Sequence, residues 1–486
     1  MKINMPDNVS FIIDRLAEKG YEAYAVGGCV RDTMLGRVPE DWDITTSAKP
    51  MEIKSSFHRT IDTGIQHGTV TVMLNGIGYE VTTYRIDGEY EDSRHPKKVD
   101  FTDSLRLDLE RRDFTINAMA YNDTSGLVDC FGGKEDLENG IIRCVGDAGE
   151  RFDDDALRIL RAVRFSGQFG FDIEEKTKRA MEEHAANLRR ISAERIRVEL
   201  VKLITSKDSG RIRTAWETGM TAVFLPEFDI MMDTLQYNPH HVFSVGEHSI
   251  RCVEVMNYFF GRKGSGFDVS DIPDGCLGRV KDFAHTLAKK TQTALCLTML
   301  LHDCAKPNVI KIDEGGIGHF AGHPQESEKM AFDIMHRLTF DNDTIRLVKL
   351  LVLHHDYRIE PDEKAVRRAA SKVGSENMRL LFLVQYADVL AQNPDTYMEK
   401  LYRIERVWDL FEEAEKSEVP LSLADLAVSG RDLIAAGIKP GPNMGRILYG
   451  LLDYVIECPE ENNYSFLINM AVERNKNLQE TEGGKG

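Results

Sequence analysis

The sequence predicts an α+β chain, a mixed-sheet head followed by an all-helical remainder, and three observations carry that prediction. Helix-like and strand-like segments alternate over residues 1 to about 140. From about residue 148 strand signals nearly vanish, and helical periodicity in Leu, Ile, Ala, Arg and Glu takes over. Within the head, a glycine pair, Gly27 and Gly28, is closely followed by two aspartates one residue apart, Asp41 and Asp43.

The head elements follow in order. FIIDRLAEKG reads as a helix, YEAYAVGG as a strand ending in glycines, VRDTMLGR as a short helix and DWDITT as a second strand. GTVTVMLNG and YEVTTYRI form a hairpin, because β-branched runs flank the turn signals Asn75-Gly76 and Ile77-Gly78. GEYEDSRHPKKVDF, with Asp87, Tyr90, Asp92, Arg94, Lys97 and Lys98, reads as a mobile flap over a site. In LERRDFTINAMAY, Arg111, Arg112 and Asp113 open an apolar helix whose N-terminus suits phosphate and ribose. LVDCFGGKEDL, with Asp129, Gly132, Gly133 and Asp136, reads as a structural turn into the helical region. That region includes DALRILRAVRF, ISAERIRVELVKLI and NMRLLFLVQYADVLAQ; residues 261–279 read as a loop, and the closing NKNLQETEGGKG should fray.

Bulk properties bound the function. A chain of 486 residues implies three or more domains, and no internal repeat is visible. No apolar run approaches the roughly 20 residues needed to span a bilayer, and MKINMPDNVS has no signal-peptide character, so a cytoplasmic protein with no membrane partner is expected. Eight cysteines without a CxxC pair read as reduced thiols, not a zinc ribbon or disulfide framework. A net charge of −18 argues against wholesale nucleic-acid coating. Residues 151–213 nevertheless hold fifteen Lys and Arg against eleven Asp and Glu, which makes that stretch the expected dock for an RNA backbone.

The glycines and aspartates together read as a phosphate cradle beside a magnesium site. Backbone N–H groups at Gly27 and Gly28 can approach a triphosphate because no side chain intervenes, and Arg31 adds a fixed positive charge. Period-2 geometry would send Asp41 and Asp43 to one face of a strand, where two carboxylates can hold one or two Mg²⁺ ions. In DDALRILRAVR, Asp155, Arg158, Arg161 and Arg164 recur every three residues along one side of a helix. An Asp and an Arg one turn apart can present an acceptor and donors to a base edge.

GGCVRD, DWD, RRDFTINA, VDCFGGKEDL, DDALRILRAVRF and ISAERIRVEL, in this order over residues 27–200, resemble the motif set of the class II nucleotidyltransferases, the bacterial tRNA CCA-adding enzymes and poly(A) polymerases. The resemblance implies a polymerase-β-like head over 1–145, a nucleotide-selecting and RNA-binding helical neck over 146–235, a helical body over 236–395, a tRNA-binding tail over 396–475 and a disordered end over 476–486. It also implies that Asp41 and Asp43 carry Mg²⁺ and that Gly28, Arg31 and Arg112 hold triphosphate or sugar. By the same resemblance Asp155 with Arg158 selects CTP and ATP, and Arg161 and Arg164 match further nucleotide-contacting arginines. The family pattern has Glu where this chain has Asp154, which touches only the orienting role of that acid.

Residues 240–390 carry a separate series of His and Asp on predicted helices: His248, the pair His302-Asp303, His323, the pair His354-His355, and Asp388. Neutral imidazoles with carboxylates suit Mn, Fe, Ni or Zn. The series resembles the HD superfamily of metal-dependent phosphohydrolases. That resemblance makes His248, His302, Asp303 and Asp388 the minimal ligand set, with His323 and His354 completing a second metal position and the choice between His354 and His355 open. Further on, Gly441, Pro442 and Gly445 open a helix in a segment found downstream of such regions, equally a structural turn or a backbone contact to RNA.

The expected activity is template-independent addition of C, C and A to the 3′ end of tRNA from CTP and ATP, with possible hydrolysis at the HD-type site. An A-adding enzyme is the nearest alternative. By the same resemblance, a CC-adding specialist would lack flap residues such as Arg85, Asp87, Tyr90 and Arg94, which are present here, and a poly(A) polymerase would carry a basic tail where this sequence ends NLQETEGGKG. From another class, the chain could be an HD phosphohydrolase whose head only senses nucleotides; the intact DxD argues against this.

Overall fold

The computed structural model describes residues 2–87, 99–237, 242–262, 264, 274–417 and 419–483. It divides into two compact units, one essentially Met1–Asp229 and the other holding most of the chain from Ile230 onward. Among the described residues, no helix is long and apolar enough to cross a membrane. Most of the expected flap, including Tyr90, Asp92, Arg94, Lys97 and Lys98, lies outside the described residues.

The first unit begins with the helix Asp7–Ala17 and then builds nine head strands. These are β1 (Ala23–Val26), β2 (Ile44–Thr46), β3 (Thr60–Gly64), β4 (Thr69–Leu74), β5 (Ile77–Thr83), β6 (Arg85–Asp87), β7 (Val99–Phe101), β8 (Met119–Asn122) and β9 (Gly126–Asp129). Seven of them form one mixed sheet in the order β3-β4-β5-β2-β1-β8-β9. Only β2 and β5 run parallel within it, with Ile44 opposite Val81. The β4–β5 hairpin turns at Asn75 and Gly76, whose φ values of 51° and 82° are those of a primed turn. One side of the sheet seals a core of Tyr24, Val26, Tyr84, Leu109, Ala118 and Ala120.

Three local expectations are corrected. Asp41 and Asp43 precede β2 and are not inside its ladder, because β1, their partner strand, ends at Val26 where Gly27 turns away. Arg111–Asp113 do not open a helix: the helix Leu105–Glu110 ends there, and MAYN becomes β8, paired to β1 and β9. The stretch from Asp154 onward is not one continuous helix. A break at Asp155 separates the helix Ala148–Asp154 from the helix Leu157–Phe169.

Among the described residues the second unit is helical apart from the short antiparallel pair at 311–312 and 318–319 and a single bridge between Leu235 and Ser244. Its centre packs the helix Val245–Phe259 against Lys289–Leu301 and Ser375–Leu390, and all three are rich in buried apolar residues. Part of the expected 261–279 loop is helical, since a helix runs over Asp274–Thr286. The described part of the closing segment, up to Gly483, is helical. One helix spans Tyr464–Gly483, because Leu478 packs onto the apolar cluster of Leu451, Val455, Leu467 and their neighbours.

Candidate functional sites

In the head, the glycine turn fixes the geometry. Gly27 has φ 78°, which favours glycine, and a Cβ there would lie 2.8 Å from the Arg112 guanidinium and push that group aside. Arg31 sits beside the pair but is buried, with a bidentate bridge to Asp32 at 2.9 Å, a bond to the Asn117 side chain and the Phe165 and Phe169 rings beneath it. It therefore braces the turn from below. Arg112 is the more available cation: it reaches Asp108 at 3.6 Å, and its buried Nε has no hydrogen-bond partner. A donor left in that state suits an anionic ligand.

The carboxylates are mutually coupled. Burial raises Asp43 above the usual carboxylate range against the pull of Arg112, and the charge of Asp41 adds to the rise. Glu80 on β5, one residue from the Ile44–Val81 register pair, is raised as well, by burial and then by Asp43 and Asp41. Sequence reasoning missed Glu80; its signal was a single carboxylate in the β-branched run YEVTT. Like charges crowded together form a group that a bound cation completes, and a hard oxygen donor set suits Mg²⁺. Behind them, Asp108 is fully buried and organises the neighbourhood, accepting from Arg111 at 2.8 Å and from the Thr45 hydroxyl at 3.0 Å.

Asp155, at the helix break, accepts from the Leu157 N–H at 3.0 Å and from Arg195 at 2.6 Å. Arg158 donates to the carbonyls of Arg111 at 2.9 Å and Arg151 at 3.2 Å, and Asp154 stands 3.6 Å from it. The shorter Asp154 thus still touches the arginine it precedes. Asp155 and Arg158 meet through the backbone, the Arg158 N–H donating to the Asp155 carbonyl at 3.0 Å, and each side chain is held by other groups. Arg195, within ISAERIRVEL, is a member of this arrangement that sequence reasoning did not single out. The remaining two arginines are engaged elsewhere: Arg161 with Asp113 at 2.6 Å, and Arg164, largely buried, with Glu199 at 2.8 Å and over the Phe165 ring.

The second unit gathers the His and Asp series. His248 Nε2 lies 2.9 Å from Asp388 and 3.9 Å from Asp303; His302 Nε2 lies 3.2 Å from Asp303 and 3.7 Å from Asp388. His323 and His355 approach Asp303 at 3.4 and 3.5 Å. His355, not His354, is the inward residue of the adjacent pair. One helical step rotates the side chain by about 100°, and His354 packs instead beside Tyr357, its pKa lowered by burial and by Lys372. His302, His323 and His355 each place Nδ1 against a backbone carbonyl, of Met299, Phe320 and Val352, at 2.9, 2.8 and 2.7 Å. A carbonyl only accepts, so each Nδ1 carries a hydrogen and each neutral ring turns its Nε2 lone pair inward. His323 and His355 then oppose two lone pairs at 3.1 Å, an arrangement a cation or proton must relieve. Burial works against charge on His302, yet Asp303 and Asp388 push it up to about 10, so its Nε2 holds a proton unless a metal takes that place. The buried donor set fits a divalent transition metal. Beside it opens a cleft of about 370 Å³ edged by Lys306, His319, Arg358, Gln392 and Lys400.

A glycine turn beside clustered carboxylates on a mixed sheet, followed by a helical region, defines the class: a nucleotidyltransferase head and a helical body. Residues 23–143 match the family model described as Poly A polymerase head domain, and residues 170–232 that described as Probable RNA and SrmB- binding site of polymerase A. The chain is 34% identical over 462 residues to the CCA-adding enzyme of Limosilactobacillus fermentum, covering 95% of each protein. It belongs to the CCA-adding enzyme family. The CCA-adding enzyme of Leuconostoc mesenteroides subsp. mesenteroides is 52% identical over 200 residues, a match that spans only 50% of its length and 41% of this chain. Among solved structures, the Bacillus stearothermophilus CCA-adding enzyme in complex with CTP aligns at a TM-score of 0.64 and 27% identity, covering 98% of this chain and 100% of that one. The Thermotoga maritima CCA-adding enzyme complexed with tRNA shares the fold at a TM-score of 0.55 and 20% identity, with 97% of each chain covered.

Proposed function

We propose that this protein adds C, C and A to the 3′ end of tRNA from CTP and ATP. The observation that carries the reading is the meeting of Asp41, Asp43 and Glu80 with Gly27 and Arg112 at the edge of β1 and β2. In the reaction the tRNA 3′-hydroxyl attacks the nucleotide α-phosphate, and pyrophosphate leaves. Asp41 and Asp43 are the residues that would hold Mg²⁺, which supplies Lewis acidity and charge neutralisation there when bound. The backbone at Gly27 and Gly28 and the Arg112 guanidinium bind the triphosphate, and Arg31 stiffens that turn. Asp155 and Arg158, set by Arg195 and by the Arg111 and Arg151 carbonyls, read the base edge. Family membership and the fold shared with a CTP complex support the same reading.

The lone pairs directed inward by His302, His323 and His355 favour a second activity in the helical body. There His248, His302, Asp303, His323, His355 and Asp388 would hold a divalent transition metal supplying Lewis acidity, and the Lys306, Arg358 and Lys400 edge would receive a phosphoryl group, as the HD-type resemblance implies. Purified protein is tested with tRNA ending at the discriminator base and labelled CTP, ATP or both. Sequential incorporation of C, C and A is expected, and no incorporation of either nucleotide sinks the first reading. Asp41→Ala with Asp43→Ala should abolish addition and leave phosphatase turnover intact; loss of both contradicts two separate sites.

A further inference from the structure

We propose that Cys252 is a ligand of the metal in the helical body, so that the site prefers a thiophilic ion such as zinc or cobalt over magnesium or manganese. The inference rests on the reading of the His and Asp cluster as a metal site. Cys252 lies one helical turn after His248 on the buried helix Val245–Phe259, so both side chains leave the same face. Its sulfur is 3.5 Å from His248 Nε2 and 4.0 Å from Nδ1. One potential ligand atom from each of Cys252, His248, His302 and Asp388 falls within 4.8 Å of all the others.

The spacing has a direct chemical meaning. A tetrahedral zinc with Zn–N near 2.0–2.1 Å and Zn–S near 2.3 Å separates its nitrogen and sulfur by about 3.5 Å. That is the Cys252–His248 separation. Independently of the cysteine, His302 Nε2 and both Asp303 carboxylate oxygens are buried without a hydrogen bond, although Lys306 stands 2.7 Å from Asp303 as an ion pair. His302 belongs to the same group of mutually close ligand atoms as Cys252, Asp303 adjoins it through His302, and a cation would complete the buried Nε2 that lacks a hydrogen bond. A thiolate in such a set adds softness that oxygen and imidazole donors alone lack, and this shifts selection toward zinc and cobalt.

Cobalt(II) titrated into the full-length, metal-stripped protein separates the inference from the reading beneath it. Visible ligand-field bands report ion binding at the cluster, and a near-ultraviolet thiolate-to-cobalt charge-transfer band reports the sulfur. Both should rise together to the same end point. In Cys252→Ser the visible bands should persist and the charge-transfer band should vanish, with zinc affinity falling by at least about tenfold and manganese affinity unchanged. Zinc-edge X-ray absorption on the unsubstituted protein gives a check that needs no variant, with one sulfur expected at about 2.3 Å. Visible bands without charge transfer, or a zinc shell of nitrogen and oxygen alone, overturn the role of Cys252 and leave the metal site standing. No cobalt binding overturns the metal site itself.

Discussion

At the residue scale, the arginines of the head and neck matter through the carboxylates that hold them. Arg195 donates to Asp155 at 2.6 Å and so fixes the acceptor of the proposed base-reading junction. Replacing Arg195 by Ala should blunt discrimination of CTP and ATP against UTP and GTP while tRNA affinity changes little; selectivity equal to wild type in competition assays would contradict this. Asp113 is a structural counterpart. Although burial opposes its charge, Arg161, Asn117 and Arg158 hold its carboxyl well below the ordinary value of 3.8. A carboxyl depressed in the folded state stabilises fully above its unfolded pKa, and that contribution is lost as pH falls toward the folded value. Asp113→Asn should therefore cost about 2 kcal/mol at pH 7, the scale of a hydrogen bond to a charged group. The deficit should shrink below about pH 4, as urea melts at both pH values would report; a constant deficit would refute the assignment.

At the element scale, the turn from β1 into the helix Gly28–Met34 controls where Arg112 sits. Gly27→Ala introduces a Cβ 2.8 Å from that guanidinium at a φ that L-residues resist. Displacing a substrate-positioning group by about 1 Å can cost about 100-fold, so kcat/KM for nucleotide should drop by that order with the fold retained. Unchanged kinetics would remove Arg112 from the site. The hairpin at Asn75-Gly76 and the strand before Gly27 were legible because turn residues and β-branched runs act locally. RRDFTINAMAY misled because a short apolar run has no period of its own, and only pairing with β1 and β9 makes MAYN a strand. The same holds for the helix break at Asp155, where a three-residue spacing of arginines suggested continuity that the turn at Asp155 interrupts. Glu80 was hidden because its partners Asp41 and Asp43 lie far away in sequence, and the inward turn of His355 instead of His354 depends on a helix rotation that adjacency alone does not disclose.

At the scale of the whole molecule, charge decides where RNA can rest. The chain carries −18, and the surplus of basic residues over 151–213 is small. Much of it is also consumed internally, as Arg161 binds Asp113, Arg164 binds Glu199, Arg195 binds Asp155 and Lys178 binds Glu217. Arg189, Arg190 and Lys202 remain exposed and make no ion pair among the described residues. They fall within the stretch matched as an RNA-binding region. Each cation that neutralises a phosphate releases condensed counterions, so it adds to the salt dependence of binding as well as to affinity. Substituting Glu for both Arg189 and Arg190 should weaken tRNA binding and flatten the slope of log affinity against log salt by about 1 to 2. The Asp41 and Asp43 carboxylates would be untouched, so addition at saturating tRNA should proceed at the wild-type rate. Anisotropy measured across a salt series tests this, and an unaltered slope would show that the tRNA backbone docks on a different surface.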